Sequence, residues 1–322
     1  DIFLKGCHFI LSELYFNKRV YKGAGIIMIK TVVIGYGNIG IAVLEALSQS
    51  PDFAVAGVVE TNMDLSKIKI DYPIVDNIDK LSDFNVAILC TPSRVVPIVA
   101  ESLLNKGIYT VDAYDIHSGI CDLRGKLDKV AKKSKVASII AAGWDPGTDS
   151  IVRALMEVMA PKGITYTDFG PGMSMGHSVV ARSVEGVKDA LSMTIPLGTG
   201  VHRRMVYVEL KDGADFAKVS KLIKEDDYFK HDETHVIQVP DVSALIDKGH
   251  GVNITRKGVS GITQNQNIGF RMSVNNPALT AQILVSCARA VVKQAPGCYT
   301  MLEVPLIDML SGDKESLIHR LV

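Results

Sequence analysis

The first half of the chain alternates short apolar runs with amphipathic stretches. The apolar runs are "TVVIGYG", "FAVAGVVE", "VAILCTP", "YTVDAYD" and "VASIIAAG". Between some of them stand segments with apolar residues at helical spacing, namely "NIGIAVLEALSQS", "VPIVAESLLNKG" and "LRGKLDKVAKKS". Apolar runs separated by helices indicate strands that are buried on both faces. The pattern therefore predicts a parallel sheet covered by helices on both sides, with Gly107 ending one of these helices.

After about residue 164 the pattern becomes β-rich, with fewer helices between the strands. The segments "ITYTDFG", "RRMVYVEL" and "ETHVIQV" are typical of an open, largely antiparallel sheet. A late helix is predicted in "NPALTAQILVSCARAVVKQ", with Asn276 and Pro277 at its start. We expect this helix to return the chain to the first sheet. The predicted fold class is α/β: a Rossmann-type doubly wound parallel sheet, with a second α+β substrate and oligomerisation domain on a mostly antiparallel sheet.

These patterns divide the chain into three parts. Residues 28–146, joined by about 277–322, form the expected dinucleotide-binding domain, and residues 147–276 form the expected substrate-binding and oligomerisation domain. Residues 1–27 precede Met28 and the first strand, and charged residues interrupt them too often for a signal-peptide core. We expect this extension to be no part of the fold, the alternative being a functional arm.

Composition narrows the class of protein. Lys plus Arg and Asp plus Glu each number 35, so no net charge points to nucleic acid or an acidic membrane surface. The sequence contains no run of about 18 apolar residues, so it predicts no membrane-spanning helix. The five cysteines are scattered without a disulfide or metal spacing, and the eight histidines show no zinc spacing. These features predict a cytoplasmic protein with reduced thiols and no metal site.

A cofactor motif lies between the first predicted strand and helix. "GYGNIG" at residues 35–40 fits G-x-G-x-x-G, in which glycines permit a tight turn, backbone approach to a pyrophosphate and close helix packing. The alternative is a glycine-rich turn that merely packs. Glu60 ends the second strand, and an acid there commonly binds the ribose hydroxyls of NAD. Thr61 and Asn62 follow, where an Arg would accommodate the 2′-phosphate of NADP, so these residues favour NAD or the use of both cofactors.

Four polar stretches begin where predicted parallel strands end. They are "GYGNIG", "CTPS", "DAYD" and "GWDPG". Ligands of open α/β sheets bind in the crevice outside the carboxyl ends of the strands. The expected cofactor-binding residues are therefore Gly35, Tyr36, Gly37, Asn38, Ile39, Gly40, Glu60, Thr61, Cys90, Thr91, Pro92, Ser93, Ala113, Tyr114, Asp115, Gly143, Trp144, Asp145 and Pro146.

Several separated motifs, in order, make the chain resemble the meso-diaminopimelate dehydrogenases from about Met28 to Val322. They are "TVDAYDIH", "AAGWDPGTDS", "FGPGMSMGHS", "ALSMTIPLG", "HRRMVYV" and "NNPALTAQ". The resemblance implies NADP-dependent, reversible oxidative deamination at the D-centre of meso-2,6-diaminopimelate. The products would be L-2-amino-6-oxopimelate, which cyclises to tetrahydrodipicolinate, and ammonia, a step in lysine biosynthesis. The "GPGMSMGHS" and "HRRMVYV" forms resemble the branch with broader D-amino-acid tolerance. Thr61 and Asn62 depart from the Arg that the family often has there, which weakens a strict NADP preference.

The resemblance also suggests roles for two acids and a tryptophan. Asp115 and Asp145, at the ends of neighbouring strands, would bind the D-centre ammonium and hold its Cα hydrogen toward the nicotinamide. As alternatives, Asp115 is a helix cap and Asp145 a turn residue before Pro146. Trp144 would wall the nicotinamide pocket, although a single Trp is more often simply core. Its indole N–H would then need a partner.

The distal end of the substrate carries a second carboxylate and a second amine. Arg204 would clamp that carboxylate, because a guanidinium matches a carboxylate in a bidentate manner. The residues that would complete the substrate site are Thr194 and His250 as further donors, Asn276 for the amino-acid end, and Phe169 and Met175 as apolar wall. The ordinary alternatives are a solvated strand face for Arg203 and Arg204, a helix cap for Asn276, and plain core for the apolar pair. His177 receives no role.

Some questions stay open at the level of sequence. The group that accepts the ammonium proton is not readable, and water, an Asp or a His could serve. Two alternative functions remain: a broad D-amino-acid dehydrogenase or reductive aminase of 2-keto acids, and a non-catalytic NAD(P)-binding sensor. The β-rich second domain and the resemblance favour a homodimer or a higher homo-oligomer.

Overall fold

The computed structural model describes residues 28–61, 64, 68–246 and 249–322. The expectation about residues 1–27 lies outside the described residues. Within the described part, no helix is long and apolar enough to span a bilayer.

A parallel sheet forms the base of the molecule. Its strands are β1 (Ile29–Ile34), β2 (Phe53–Val59), β3 (Ile74–Val75), β4 (Val86–Leu89), β5 (Tyr109–Asp112), β6 (Ala137–Ile139) and β14 (Gly297–Tyr299), in the spatial order β14-β6-β5-β4-β1-β2-β3. Every pair of neighbours is parallel. Their carboxyl ends therefore share one edge, as the sequence predicts.

Helices cover both faces of this sheet. On one face α1 (Asn38–Ser48) and α7 (Asn276–Val291) bury Val43, Leu47 and Leu284 with the side chains of the strands. On the other face α2 (Val96–Asn105) and α3 (Ile120–Ser134) bury Leu104 and Leu127. The strands read as continuous apolar runs because both of their faces are covered in this way. The chain then ends in α8 (Leu306–Met309) and α9 (Lys314–Leu321).

The remaining strands form two smaller sheets. One is antiparallel, with β7 (Lys162–Phe169), β12 (Gly249–Ser260) and β13 (Gln264–Asn275) in the order β13-β12-β7. The other contains β8 (Gly172–Met173), β9 (Val187–Gly198), β10 (Val201–Leu210) and β11 (Glu233–Gln238) in the order β11-β10-β9-β8. In it β10 and β11 are parallel, whereas the other pairs are antiparallel. The helices of this region are α4 (Thr148–Met159), α5 (Met175–Arg182) and α6 (Phe216–Glu225).

The predicted fold class is confirmed, with two differences in detail. The antiparallel region contains two sheets instead of one, and the short strands β3 and β14 were not predicted, since two or three residues give no recognisable apolar run. β14 follows α7 and pairs with β6, so this helix does lead back to the parallel sheet. The boundaries at residues 146 and 277 stay predictions. Val252 and Ile254 of the three-stranded sheet share one core with Trp144 and Met156.

Candidate active site

The glycine loop after β1 has the geometry that an anion needs. A Cβ on Gly40 would lie 2.1 Å from the carbonyl oxygen of Gly35, so only glycine lets α1 approach the loop. A Cβ on Gly37 would meet nothing within 4 Å, which shows that this position faces open space. Gly37 is the N-cap of α1 and brings no side-chain acceptor to the first turn. The first-turn N–H groups therefore point toward a space that suits a phosphate.

Glu60 and Thr61 stand beside this loop. Glu60 is buried at the end of β2, and its Oε2 accepts the backbone N–H of Tyr36 (2.8 Å). The carboxylate is thereby fixed against the glycine loop, where an acid commonly meets a ribose. Thr61 follows on the surface, whereas Asn62 lies outside the described residues.

Three further stretches complete the crevice. Residues 90–93 follow β4, residues 113–115 follow β5, and residues 143–146 come shortly after β6. Thr91 Oγ1 is buried and has no hydrogen-bond partner among the described residues. Burial raises the pKa of the Cys90 thiol, which makes a reactive thiolate unfavourable there. An orphaned hydroxyl, an open glycine and an uncapped helix N-terminus around one edge fit a dinucleotide cofactor.

Asp115 is held by groups from three parts of the chain. Its Oδ1 accepts hydrogen bonds from the Ser93 hydroxyl (2.6 Å) and the Tyr228 hydroxyl (3.0 Å). Its backbone N–H donates to Ser93 Oγ (3.2 Å). A Cβ on Gly176, in the first turn of α5, would lie 2.6 Å from Asp115 Oδ2. Asp115 is not a helix cap, because Gly119 occupies that position of α3 and no side chain caps the preceding turn.

Asp145 is a largely buried acid with charged neighbours, and 17% of its side chain is exposed. Its Oδ1 is buried without a hydrogen-bond donor among the described residues, and Arg153 Nη2 lies 3.7 Å away. His117 Nε2 lies 4.0 Å from its Oδ2. Burial is the main reason that the pKa of Asp145 is raised, and the nearby charge of Asp115 adds to it. Asp115 and Asp145 therefore lie close enough for their charges to interact.

Trp144 belongs to the core and also forms one wall of the crevice. Its indole Nε1 donates to Asn276 Oδ1 (2.9 Å), which supplies the partner that this buried N–H requires. Its ring lies edge-on to Phe169 (6.0 Å between centroids) and against His250 (4.9 Å). The N-cap of α7 is Asn275, whose side chain accepts the N–H of Ala278. The helix-cap alternative for Asn276 is therefore wrong, since its oxygen is directed at Trp144 instead.

Arg204 lies inside the molecule, whereas its neighbour Arg203 lies outside. Arg204 Nε donates to Asp232 Oδ2 (2.6 Å), and Nη1 donates to the hydroxyl of the buried Thr194 opposite it on β9. Only 13% of the Arg204 side chain is exposed. Arg203 instead forms an exposed ion pair with Glu233. Alternation along β10 thus separates the two guanidinium groups, and the solvated-face alternative is wrong for Arg204.

His250 and His177 both have lowered pKa values, so each is uncharged at neutral pH. His250 Nδ1 accepts the N–H of Gly251 (2.8 Å), and burial lowers its pKa. Burial and the nearby Arg204 lower the pKa of His177 to about 3, and its Nδ1 pairs with Ser174 Oγ (2.7 Å). The ring of His177 lies edge-on to Tyr228 (5.3 Å), the residue that donates to Asp115. His177 is also within electrostatic range of His117, beside Asp145. His177 is therefore near both Arg204 and the residues that contact the two acids.

Phe169 and Met175 contact different clusters. Phe169 packs on Trp144 and donates its backbone N–H to His202 Nε2 (2.8 Å). Met175 begins α5 and packs with Met173 and Leu191, so its apolar contacts lie apart from those of Phe169.

Four residues of the site were not expected from the sequence. Asp149 and Arg153 surround Asp145, Tyr228 donates to Asp115, and Asp232 pairs with Arg204. A helical spacing of four links Asp145, Asp149 and Arg153, and that signal was available in "DPGTDSIVR". Tyr228 and Asp232 carry no sequence signal, because they reach the site from the connection between α6 and β11. Among the described residues, no group of three or more His, Cys, Asp or Glu side chains is placed to hold a metal ion.

Comparisons with known proteins agree with this architecture. Residues 143–276 match the family model "Diaminopimelic acid dehydrogenase C-terminal domain", and residues 27–113 match "CoA binding domain". The meso-diaminopimelate D-dehydrogenase of Bacteroides fragilis is 60% identical over 296 residues, 91% of this chain and 99% of that protein. The enzyme of the same name from Lysinibacillus sphaericus is 33% identical, over 86% of this chain and 94% of that protein.

Two solved structures are similar over nearly the whole chain. The C. glutamicum diaminopimelate dehydrogenase in complex with diaminopimelate superposes with a TM-score of 0.83 at 26% identity, covering 92% of this chain and all of that one. An engineered D-amino acid dehydrogenase bound to NADP+ superposes with a TM-score of 0.82 at 25% identity, with the same coverage.

Proposed function

This chain belongs to the meso-diaminopimelate dehydrogenase family, and from that premise we infer that it is an oxidoreductase acting on the CH–NH2 group of meso-2,6-diaminopimelate. The reaction is reversible oxidative deamination at the D-centre to L-2-amino-6-oxopimelate and ammonia, a step of lysine biosynthesis. The observation that carries this function is a separation of charge. Asp115 and Asp145 lie close to each other, whereas Arg204, on β10, pairs with Asp232 and Thr194 and lies within electrostatic range of His177.

Each end of the site suits one end of the substrate. We propose that Asp115 and Asp145 bind the D-centre ammonium, because the carboxylates lie at the crevice edge where the cofactor residues converge. Ser93 and Tyr228 hold Asp115 in one orientation through two hydrogen bonds. A nicotinamide bound in the crevice supplies the acceptor for the hydride of the D-centre Cα. Trp144 and Phe169 exclude water from that region, since their rings pack edge to face.

The distal amino-acid end lies toward β9 and β10 in this proposal. Arg204 uses Nε and Nη1 for Asp232 and Thr194, and these two bonds fix the guanidinium plane. Its Nη2 has no hydrogen bond to another described residue and is available to the distal carboxylate. We place His250 and Asn276 nearby through Trp144, which contacts both. Met175, beside Gly176 on α5, completes the apolar wall in this proposal.

The first experiment measures the absorbance of reduced cofactor after mixing the protein with meso-diaminopimelate at alkaline pH, with NADP and NAD in parallel. A rise with either cofactor is the expected result. A rise with D-alanine or D-lysine but not with meso-diaminopimelate would support the broad D-amino-acid dehydrogenase instead. Cofactor binding without turnover of any of these substrates would support the sensor.

A nicotinamide cofactor follows from the family and the crevice, and we propose that the chain uses NADP while also accepting NAD. The NADP+ bound to the engineered relative supports the first part. The Glu60 carboxylate supports the acceptance of NAD, because it is fixed against the glycine loop and a carboxylate there repels a 2′-phosphate.

Thr61→Arg tests this cofactor proposal. An added guanidinium after β2 should raise the NADP-to-NAD ratio of kcat/KM by about tenfold, roughly 1.4 kcal/mol of added attraction. Thr61→Gln is the control of comparable reach without charge. An unchanged ratio in the Arg variant would remove Thr61 from the 2′-phosphate site.

We further propose a cytoplasmic homo-oligomer. Cys90, Cys121, Cys287 and Cys298 are all unpaired, as is typical of a reducing compartment. Leu155, Val158 and Met159 leave an exposed apolar stripe along α4 at helical spacing, a surface suited to a second copy of the chain. Light scattering that gave the mass of one chain would contradict this assembly.

A further inference from the structure

A carboxyl group with no assigned role lies directly behind Asp145. Asp149 is in the first turn of α4, and its side chain is fully buried. Arg153, one turn later, donates from Nη1 to Asp149 Oδ2 (2.7 Å) and from Nη2 to Ser150 Oγ (3.2 Å). The same Nη2 lies 3.7 Å from Asp145 Oδ1. One guanidinium therefore faces two carboxyl groups.

The two carboxyl groups also contact each other. The Asp145 and Asp149 side chains lie within hydrogen-bonding reach, although Asp145 Oδ1 has no N–H or O–H donor among the described residues. Two carboxylates offer only acceptors, so a hydrogen bond between them requires a proton on one of the two. A proton shared by the pair supplies the donor for that hydrogen bond without any further residue.

The charges around the pair lead to the same conclusion. The groups that face it are Asp115 from the end of β5, His117 from the turn before α3, and Arg153 from α4. Three ionised carboxylates would thus stand beside one permanent cation, in a site where burial disfavours charge. Burial lowers the pKa of His117, so this residue adds little positive charge at neutral pH. Sharing one proton removes part of the excess negative charge.

We propose that Asp145 and Asp149 form a carboxyl pair that shares one proton, with Asp145 contacting the amine of the substrate and Asp149 storing the proton that the amine loses. Asp145 would be the catalytic member, and Asp149 a positioning residue that acts through it. The proposal rests on the function given above and assigns the proton acceptor of that reaction.

The proton transfer starts from the doubly ionised pair and takes place in two steps. An N–H bond of the D-centre ammonium breaks and an O–H bond forms on the Asp145 carboxylate, which leaves a neutral amine. The proton then passes to the Asp149 carboxylate and restores the charge on Asp145. Arg153 stabilises whichever member of the pair is ionised, because its guanidinium faces both. In the direction of amination the same proton returns to the amine.

The pH range in which the pair works follows from its surroundings. Burial, together with the neighbouring Asp145, raises the pKa of Asp149 to about 8. Below that pH, Asp149 keeps its proton and cannot accept another. Above it, the pair is doubly ionised and accepts the ammonium proton. Oxidative deamination should therefore accelerate as pH rises through about 8.

The test compares pH profiles of kcat/KM for meso-diaminopimelate oxidation between wild type and Asp149→Asn, because kcat/KM reports the groups of the free enzyme. We expect the inflection near pH 8 to vanish and the alkaline kcat/KM to fall by about 10²-fold, the usual contribution of a proton acceptor. Asp122→Asn, an exposed first-turn acid of α3, is the matched control and should leave the profile unchanged. A uniform loss of kcat/KM with the wild-type inflection retained would show that Asp149 is merely structural.

Two further variants test the charges that face the pair. They keep the proposal testable if Asp149→Asn does not fold. Arg153→Gln removes the facing cation, so the inflection should move to higher pH by about one unit. His117→Gln should keep the inflection. Loss of the inflection in His117→Gln, or no movement in Arg153→Gln, would overturn the proposal.

A spectroscopic measurement separates this proposal from the proposed function. Infrared spectra of the ligand-free wild type between pH 6 and 10 should show a protonated carboxyl C=O band that disappears as pH rises through about 8, and Asp149→Asn should lack this band while it keeps the band of Asp112, which disappears near pH 7. No such band in wild type overturns the shared proton, whether or not the protein is active. If the protein shows the band but does not oxidise meso-diaminopimelate, the proposed function is contradicted instead.

Discussion

At the scale of residues, two adjacent arginines give a matched test of substrate binding. Arg204 is fixed by Asp232 and Thr194, whereas Arg203 pairs with Glu233 on the surface. Arg204→Met should raise KM for meso-diaminopimelate by about 10- to 100-fold, the value of a charged hydrogen bond of about 1.5–3 kcal/mol. KM for D-alanine, which lacks the distal carboxylate, should change far less. Steady-state kinetics with Arg203→Met as control check this, and equal losses on both substrates would exclude the clamp.

A second residue-scale prediction concerns stability instead of catalysis. Asp112 is fully buried, with Oδ1 accepting the N–H groups of Tyr114 and Ala141, and burial raises its pKa to about 7 from the ordinary 3.8. The folded protein therefore holds this proton to higher pH than the unfolded chain does. Between about pH 4 and 7 this residue makes the free energy of unfolding decrease as pH rises, and the loss is complete above pH 7.

Asp112→Asn should remove that contribution, because an amide keeps the Oδ1 acceptor but does not ionise. The free energy of unfolding of the variant, relative to wild type, should increase between pH 5 and pH 8 by about 3 kcal/mol, because two pH units lie between pH 5 and the folded pKa near 7 and each is worth about 1.4 kcal/mol. Denaturant unfolding at the two pH values measures the difference. Parallel behaviour of both proteins would contradict the assignment of this pKa.

At the scale of elements, the start of α4 depends on one glycine. Gly147 has φ +144°, and a Cβ there would lie 1.8 Å from the carbonyl oxygen of Gly143. Gly147→Ala should destabilise the protein by about 3 kcal/mol or more, since both the backbone and the contact are incompatible with a side chain. Gly125→Ala is the control: this exposed glycine in the middle of α3 has open space around its Cβ and should gain roughly 0.5–1 kcal/mol. Thermal unfolding measures the stability of both variants, and similar changes in Gly147→Ala and Gly125→Ala would argue against a strained turn at Gly147.

At the scale of the whole molecule, the connection between α6 and β11 joins the four-stranded sheet to the cofactor crevice. Arg94, which follows the crevice residue Ser93, pairs with Asp226 (3.3 Å) and lies over the ring of Tyr228 (5.8 Å). Tyr228 in turn donates to Asp115. Exposed contacts of this kind contribute about 0.5–1 kcal/mol each.

Arg94→Ala should loosen this connection and so raise KM for the substrate by about 2- to 5-fold, the equivalent of that free energy, with a smaller change in kcat. Hydrogen exchange of residues 226–232 should become faster in the variant. Lys230→Ala removes another ion pair of the same connection, with Asp227, and should alter neither quantity. Unchanged hydrogen exchange in Arg94→Ala would show that Arg94 does not help to orient Tyr228.

The sequence by itself determined the features that are local along the chain. The apolar runs of β1, β2, β4, β5 and β6, the glycine loop and the ordered motifs lie within short windows, so period and spacing were sufficient to predict them. The fold class and the family followed from these. Short strands such as β3 were not predicted, because two residues are too few to show a periodic pattern.

Only the tertiary structure decided which distant side chains meet and how deeply each is buried. Tyr228 reaches Asp115 across 113 residues, and Trp144 reaches Asn276 across 132. Asp149 looks like an ordinary first-turn acid in the sequence, but packing buries it completely beside Asp145. Burial removes water from a charge and brings in neighbours from other elements, and these two effects set the pKa and the hydrogen bonds of a group. A short window of sequence shows neither how much water a side chain loses on folding nor which residues of other elements pack against it.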